Sequence, residues 1–389
     1  MNRPSGLVLV GGSYAAVGVI EGAREAGYQE PITLLSAESH LPYQRPPLSK
    51  GFLSGAVDEG AITLRSADFY RDNGVNVQLE VRASALDLSK KRVFLETGGT
   101  VPYGSLALVM GARARDFPVP GANLDGVFAL RSLDDARAVR ARLAAASEIV
   151  IIGGGYIGLE VAASLATLGR SVVVIEREAR LLRRSVSHQM SEFIGASHLR
   201  NGVQLVLAAQ VARISGDEGG RVRTVELEDG RRYPADVVIV GVGAVPNAEL
   251  ADAAGLACHD GILVDASART SALDVVAAGD CTRHPNRFGR GLVRLESVQH
   301  ATEQGRVAGA VIAGRRVTYD TPPWFWSSQY THKLQIAGLV AGYDQTELRG
   351  SPEDGRFSLY HYARGVLVAV ESVNRPADHM AARRQLLGA

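Results

Sequence analysis

The 389-residue sequence predicts an α/β protein built around two parallel, doubly wound sheets, on two patterns and one composition. A strand, glycine turn, helix and second strand run from Ile149 to Glu176, and the same order appears between Leu7 and Leu35. In each copy the strands are short apolar runs, as expected of strands buried on both faces, and the helix shows its own apolar spacing. The composition, 46% hydrophobic and 21% charged, is that of an ordinary globular chain.

In the first copy, Leu7–Val10 reads as a strand, Val17–Ala26 as a helix and Ile32–Leu35 as the next strand. The turn between them supplies Gly11, Ser13, Tyr14, Ala15 and Ala16 as candidate phosphate-contacting residues, with Ser13 where a second glycine is usual and Ala16 an accepted third residue. Glu38 is the carboxylate nearest the expected ribose position. The second copy is complete. Gly153 permits the tight turn, Gly155 a close backbone approach to a pyrophosphate, and Gly158 close packing of helix on strand; Tyr156 and Ile157 lie between them. The helix is expected from Ile157 to about Leu168, and its N-terminus offers free N–H groups and a positive dipole end to phosphates. Strand Ser171–Ile175 ends in Glu176, placed to accept hydrogen bonds from a ribose 2′-hydroxyl and to repel a 2′-phosphate, which favours NADH over NADPH. Arg177, Arg180, Arg183 and Arg184 follow it. Two such units in one chain point to a held flavin and a diffusible nicotinamide.

Other classes are excluded by composition. Net charge +1 supplies no field for nucleic acid. The longest apolar runs, such as Val237–Val240, are too short to cross a bilayer, and Met1–Gly6 shows no signal-peptide pattern, so a cytoplasmic location is expected. The two cysteines, Cys258 and Cys281, form neither a C-x-x-C pair nor a metal site, which removes flavin enzymes that pass electrons through a disulfide. The only lysines are Lys50, Lys90, Lys91 and Lys333, an arginine bias read as genomic composition.

The segment Leu41–Gly55, LPYQRPPLSKGFLSG, is too rich in proline for a helix before about Leu48. Its P-Y-x-R-P-x-L-S-K pattern resembles the ferredoxin reductases that serve Rieske dioxygenases and bacterial haem-thiolate monooxygenases, relatives of glutathione reductase. The resemblance extends over essentially the whole chain. It implies two Rossmann-like domains, the NAD domain inserted into the FAD domain, followed by a small α+β C-terminal domain. The expected boundaries are 1–113 and 243–320 for FAD, 114–242 for NAD, and 321–389 for the last domain. It also implies FAD contacts from Arg45, Lys50, the backbone of Ala83, and Arg131 in L-R-S-L-D-D. Lys50 would lie beside the flavin ring. Glu160, in G-G-G-Y-I-G-L-E, would face the flavin and pair with Lys50 or hold the nicotinamide amide. An acid inside an apolar helix needs such a partner.

The remaining elements complete the pattern. Ile62–Ser66 reads as a helix and Phe69–Leu79 as a strand; Ser132 or Asp134 should cap a helix to Ala146; and Asn201–Arg213, Arg221–Glu228 and Tyr233–Val240 read as strands. Gly241–Asn247, carrying Gly243, matches the family's G-x-G-x-x-P-N turn. Val275–Asp280 resembles the family's second FAD half-signature, which implies a hydrogen bond from a ribityl hydroxyl to Asp280, and Glu296–His300, with Val298, is expected to open a helix toward the flavin pyrimidine edge, where His300 is expected to be an ordinary helix residue. PPWFWSSQ resembles the opening of the family's last domain, with Trp326 lining the flavin and partner-facing pocket, and Leu359–Val373 reads as two strands joined at Arg364-Gly365. The family chain is expected to extend past Ala389. The implied reaction passes hydride from NADH to FAD, then single electrons to a transiently bound [2Fe-2S] ferredoxin that feeds an oxygenase, by a monomer or weak dimer. The rival acceptors are rubredoxin, quinone or oxygen, and a rival class is an NADH-sensing protein like apoptosis-inducing factor.

Overall fold

The computed structural model describes residues 6–289 and 291–388; the leading segment Met1–Ser5, read above for targeting signals, lies outside the described residues. The chain forms two compact units, one of residues 1–44, 62–113 and 245–325, the other of 45–61, 114–244 and 326–389.

The first unit is organised on a five-stranded parallel sheet ordered 275–277, 105–108, 7–10, 32–35, 75–78. Leu7–Val10 has sequence-later strands on both sides, one reached through each direction of winding, so the strand order reverses at its C-terminal end, where open α/β sheets bind ligands. Helix Tyr14–Glu25 leaves from that end and lies against helix Val298–Ile312. The contact is backbone to backbone. A Cβ on Gly22 would meet the Arg306 carbonyl oxygen at 2.1 Å, and one on Gly309 would meet that of Val19 at 2.1 Å. Only glycine lets two helices approach so closely. Ala15 lies level with Gly305 and Val19 with Gly309, so the two helices run parallel.

The second unit repeats the plan, its parallel sheet ordered 204–206, 171–175, 148–152, 237–240, 127–129. Its side layer is a three-stranded antiparallel sheet of Val211–Gly216, Val222–Leu227 and Arg232–Pro234. An antiparallel C-terminal sheet, ordered 324–329, 332–338, 366–373, 356–363, 345–351, belongs to this unit from Trp326 onward and is closed by helix Pro376–Leu387. Among the described residues no helix is long and apolar enough to cross a membrane.

Several local expectations change. The Phe69–Leu79 stretch divides into helix Ala67–Asp72 and strand Val75–Gln78, because Ser66 and Asp68 favour a helix start and Gly74, at φ 59°, ends it. The short helix ahead of it is Glu59–Ile62 instead of Ile62–Ser66. Asn201 caps helix His188–Arg200, and Ala208 at φ 52° separates strands Gln204–Val206 and Val211–Gly216, so Asn201–Arg213 is not one strand. Ser132 is the N-cap of helix Leu133–Leu143, in a capping box closed by Asp135. Arg364 and Gly365, both at positive φ, make the tight turn between strands Arg356–Ala363 and Val366–Val373.

His300 is fully buried, its ring stacked on His284 at 4.7 Å, and burial holds His284 down at about 4 and His300 well below its ordinary value. Both rings are therefore neutral in the folded state but take a proton on unfolding below the ordinary histidine value of about 6.5. Stability should fall as pH drops from about 6.5 toward 4, by about 1.4 kcal/mol per pH unit for each ring. Thermal midpoints measured between pH 7 and pH 5 should decline, and His284→Leu should flatten the decline.

Candidate functional site

In the second unit the glycine turn is built by sterics. Gly153 sits at φ +111°, and a Cβ there would lie 2.3 Å from the Gly241 carbonyl oxygen. A Cβ on Gly158 would lie 2.2 Å from the Gly153 carbonyl oxygen, whereas one on Gly155 would meet nothing within 4 Å. So two glycines are required by the protein itself, and the third faces open space above the N-terminus of helix Tyr156–Thr167. That terminus has no side-chain cap. Uncapped N–H groups beside an open glycine fit a nucleotide pyrophosphate. Ile157, in the first turn, is 44% exposed.

Glu176 borders this cradle. Its two oxygens accept from the Gly154 N–H at 2.6 Å and the Glu178 N–H at 2.8 Å, which fixes the carboxylate at the strand end. Of the arginines that follow, Arg183 pairs with Glu178, and Arg180 donates to the carbonyls of Arg183, Val186 and Ser187. Those two are engaged by the loop itself. Arg184 and Arg115 flank exposed Gly243, at φ +111°. The Tyr156 phenol bonds Ser185 and is pushed well above its ordinary range, chiefly by burial and then by the Glu371 carboxylate.

One turn along the same helix lies Glu160, 3% exposed. Lys50 Nζ is 2.5 Å from its Oε2, Ser49 donates to the same oxygen at 2.6 Å, and Ser327 donates to Oε1 at 2.7 Å. Lys50 also donates to the Pro46 carbonyl at 3.0 Å, while its side chain keeps 23% exposure. The 3-10 turn Pro46–Ser49 delivers both donors: prolines at its start fix φ where no N–H is needed. Arg45 donates to the Arg131 carbonyl at 2.7 Å, tying this turn to the strand end before helix Leu133–Leu143. Trp326 immediately precedes Ser327 on strand Trp324–Gln329 of the C-terminal sheet and is partly buried.

In the first unit Gly11, at φ +113°, would place a Cβ 2.3 Å from the Val109 carbonyl oxygen. Ser13 is the N-cap of helix Tyr14–Glu25 but makes no side-chain cap, so the N-terminus stays available; Ala15 and Ala16 are packed beneath it. Glu38 accepts the Tyr43 hydroxyl at 2.5 Å. Ala83 starts a strand that pairs with Leu95. Gly279, at φ +85°, packs on Ala15 and donates its N–H to Gln304 at 2.8 Å, so half-buried Asp280 follows directly on the glycine helix. Val298 opens helix Val298–Ile312, capped by Ser297, and exposed Glu296 pairs with Arg294. The uncapped helix, the acid at the second strand and the Gly279 contact fit a second dinucleotide, FAD.

Sequence reasoning missed Asn247 as a structural clasp: its N–H and side-chain amide donate to the Gly111 and Met110 carbonyls at 2.9 and 2.8 Å. It also missed His198, Gln329 and Tyr330, which lie behind Ser327. Both cysteines are free, and burial pushes the Cys281 thiol up to about 12.

The family model for pyridine nucleotide-disulphide oxidoreductases matches residues 5–305, and the one for the reductase C-terminal domain matches 324–388. Rhodocoxin reductase of Rhodococcus erythropolis is 41% identical over 98% of this chain and 89% of its own. A rubredoxin-NAD(+) reductase of Pseudomonas putida is 37% identical over 95% of this chain and 96% of its own. The covalent putidaredoxin reductase–putidaredoxin complex superposes with TM-score 0.94 at 35% identity, covering 98% of this chain and 93% of that one.

The two sterically constrained glycines, Gly153 and Gly158, make the opposite prediction from Gly155. Gly158→Ala should cost about 1–3 kcal/mol of stability, because the obstacle is backbone, and should lower the thermal midpoint. Gly155→Ala should leave the midpoint near wild type but weaken NADH binding, measured by titration.

Proposed function

The chain belongs to the pyridine nucleotide-disulphide oxidoreductase family, and on that premise we propose that it is an FAD-dependent NADH:ferredoxin oxidoreductase serving an oxygenase. The observation that carries this reading is the Lys50–Glu160 pair held by Ser49 and Ser327 beside the glycine turn of Gly153–Gly158. Relatives named as reductases of rhodocoxin and putidaredoxin support the electron acceptor. Bound FAD would supply the conversion from hydride to single electrons, so that one NADH and two oxidised ferredoxins give NAD⁺, a proton and two reduced ferredoxins.

The chain's own groups do the positioning. Gly155 and the open helix N-terminus receive the NADH pyrophosphate, with Tyr156, Ile157 and Gly243 around it, and Glu176 receives the adenosine ribose hydroxyls. Gly11, Ser13, Tyr14, Ala15 and Ala16 hold the FAD pyrophosphate, Glu38 its ribose, Asp280 the ribityl chain, and Ala83, Arg45, Arg131, Glu296, Val298 and Trp326 contribute further contacts. Lys50 and Glu160 present a hydrogen-bonded charge pair to the reacting rings, and no residue becomes covalent. The proposed domain boundaries are residues 1–113 and 243–320 for FAD, 114–242 for NAD and 321–389 for the C-terminal module. The protein acts in the cytoplasm as a monomer or weak dimer.

The rubredoxin reductase relative favours one rival acceptor. Cytochrome c reduction in a reconstituted assay separates the two: a [2Fe-2S] ferredoxin should restore electron flow at lower concentration than rubredoxin does, and the reverse order assigns the chain to rubredoxin.

Purified protein should be yellow with bound FAD, and a colourless preparation that cannot be reconstituted would refute the assignment. Glu176→Ala should raise KM for NADH and narrow the preference over NADPH. Because one lost charge-assisted hydrogen bond is worth about 1.5–3 kcal/mol, the NADH loss should be about tenfold or more.

A further inference from the structure

Behind the Lys50–Glu160 pair runs a buried file of polar side chains. Ser327, Gln329 and His198 are 1%, 3% and 0% exposed, and half-buried Tyr330 ends the file. The links are Ser327 Oγ to Glu160 Oε1 at 2.7 Å, Gln329 Nε2 to Ser327 Oγ at 3.1 Å, Gln329 Oε1 to His198 Nε2 at 2.9 Å, and Tyr330 hydroxyl to His198 Nδ1 at 3.1 Å.

The direction of every link follows from the first. A carboxylate can only accept, so Ser327 must give Glu160 its one proton. The serine oxygen then accepts from the Gln329 amide nitrogen, which turns the amide oxygen toward His198. That oxygen requires a proton on Nε2, which leaves Nδ1 as an acceptor for the Tyr330 O–H. Burial supports the chain at its far end: it lowers the His198 ring below its ordinary value, keeping one nitrogen bare, and pushes the Tyr330 phenol up to about 12, keeping its proton. The opposite tautomer reverses everything. With the proton on Nδ1, Gln329 would turn its NH₂ to His198 and its oxygen to Ser327, and Ser327 would face Glu160 with a lone pair. One of the three donors to a buried carboxylate would become a repulsion.

We propose that Tyr330, His198, Gln329 and Ser327 are positioning residues for hydride transfer, a one-directional hydrogen-bond chain that holds Glu160 in place against Lys50 through the tautomer of His198. The inference rests on the reading of Lys50 and Glu160 as the groups serving the reaction. His198 and Tyr330 act only through others, since the one reaches Glu160 through Gln329 and Ser327 and the other through His198.

Two measurements test it. Nitrogen chemical shifts from histidine-labelled protein, with His198 assigned by its loss in His198→Phe, should show the proton on Nε2; a proton on Nδ1 overturns the chain without any turnover being measured. Stopped-flow bleaching of the flavin by NADH should then be compared on FAD-loaded variants of normal thermal midpoint. His198→Phe, Gln329→Glu and Ser327→Ala should each lower the limiting rate about threefold to tenfold with half-saturating NADH unchanged, and Ser327→Thr should recover most of it. Wild-type limiting rates in both His198→Phe and Gln329→Glu, or losses that match lost FAD or lost folded protein, overturn the proposal. Lys50→Ala is the separate control: an unchanged limiting rate there refutes the underlying role of the pair, whereas a slowed Lys50→Ala beside unaffected chain variants refutes the chain alone.

Discussion

A carboxylate withdrawn from water is the constraint around which the second unit is arranged. Glu160 is the only charged residue of its helix and is almost wholly buried, and isolated burial of such a charge would be prohibitive. Its compensation comes from two distant parts of the sequence: the proline turn that carries Ser49 and Lys50, and the strand that carries Ser327. The need to satisfy one acid therefore explains why Arg45–Ala61 leaves the first unit and packs with the second. Ser164, a turn further along the helix, adds a bond to the Ser49 carbonyl at 2.9 Å and completes the attachment.

The two glycine turns solve a different problem with the same means. At Gly153 and Gly11 the chain must pass a neighbouring carbonyl at a positive φ, and a side chain is sterically impossible. At Gly155 the obstacle is absent from the protein, so the missing Cβ serves whatever binds there. Ser13, in the corresponding place of the first turn, keeps a side chain where the second turn has none. On the proposed assignment the first turn holds the retained nucleotide, and the second the one that enters and leaves at every turnover.

Both sheets were legible in the sequence, because backbone constraints leave local marks: apolar runs for buried strands, glycines where φ is positive, serine at a helix start. Phe69 and Tyr70 misled, since aromatic residues favour strands, yet the helix start at Ser66 and the stop at Gly74 decided the segment. The glycines and Glu176 were visible as pattern, and the acid in the apolar helix as an anomaly. The file behind Glu160 left no such mark. Gln329 and His198 are 131 positions apart and Ser327 and Glu160 are 167 apart, so their pairing exists only once the fold is formed. Asn247 belongs with them: its family turn was recognisable, but the carbonyls it clasps were not.

The two thiols have a consequence for the company this protein can keep. Reactive sulfur is thiolate, and burial suppresses it at both positions, raising Cys258 and holding Cys281 near 12. The chain also has no cysteine pair to be oxidised. Reducing power drawn from NADH therefore has no sulfur exit into the glutathione and thioredoxin pools.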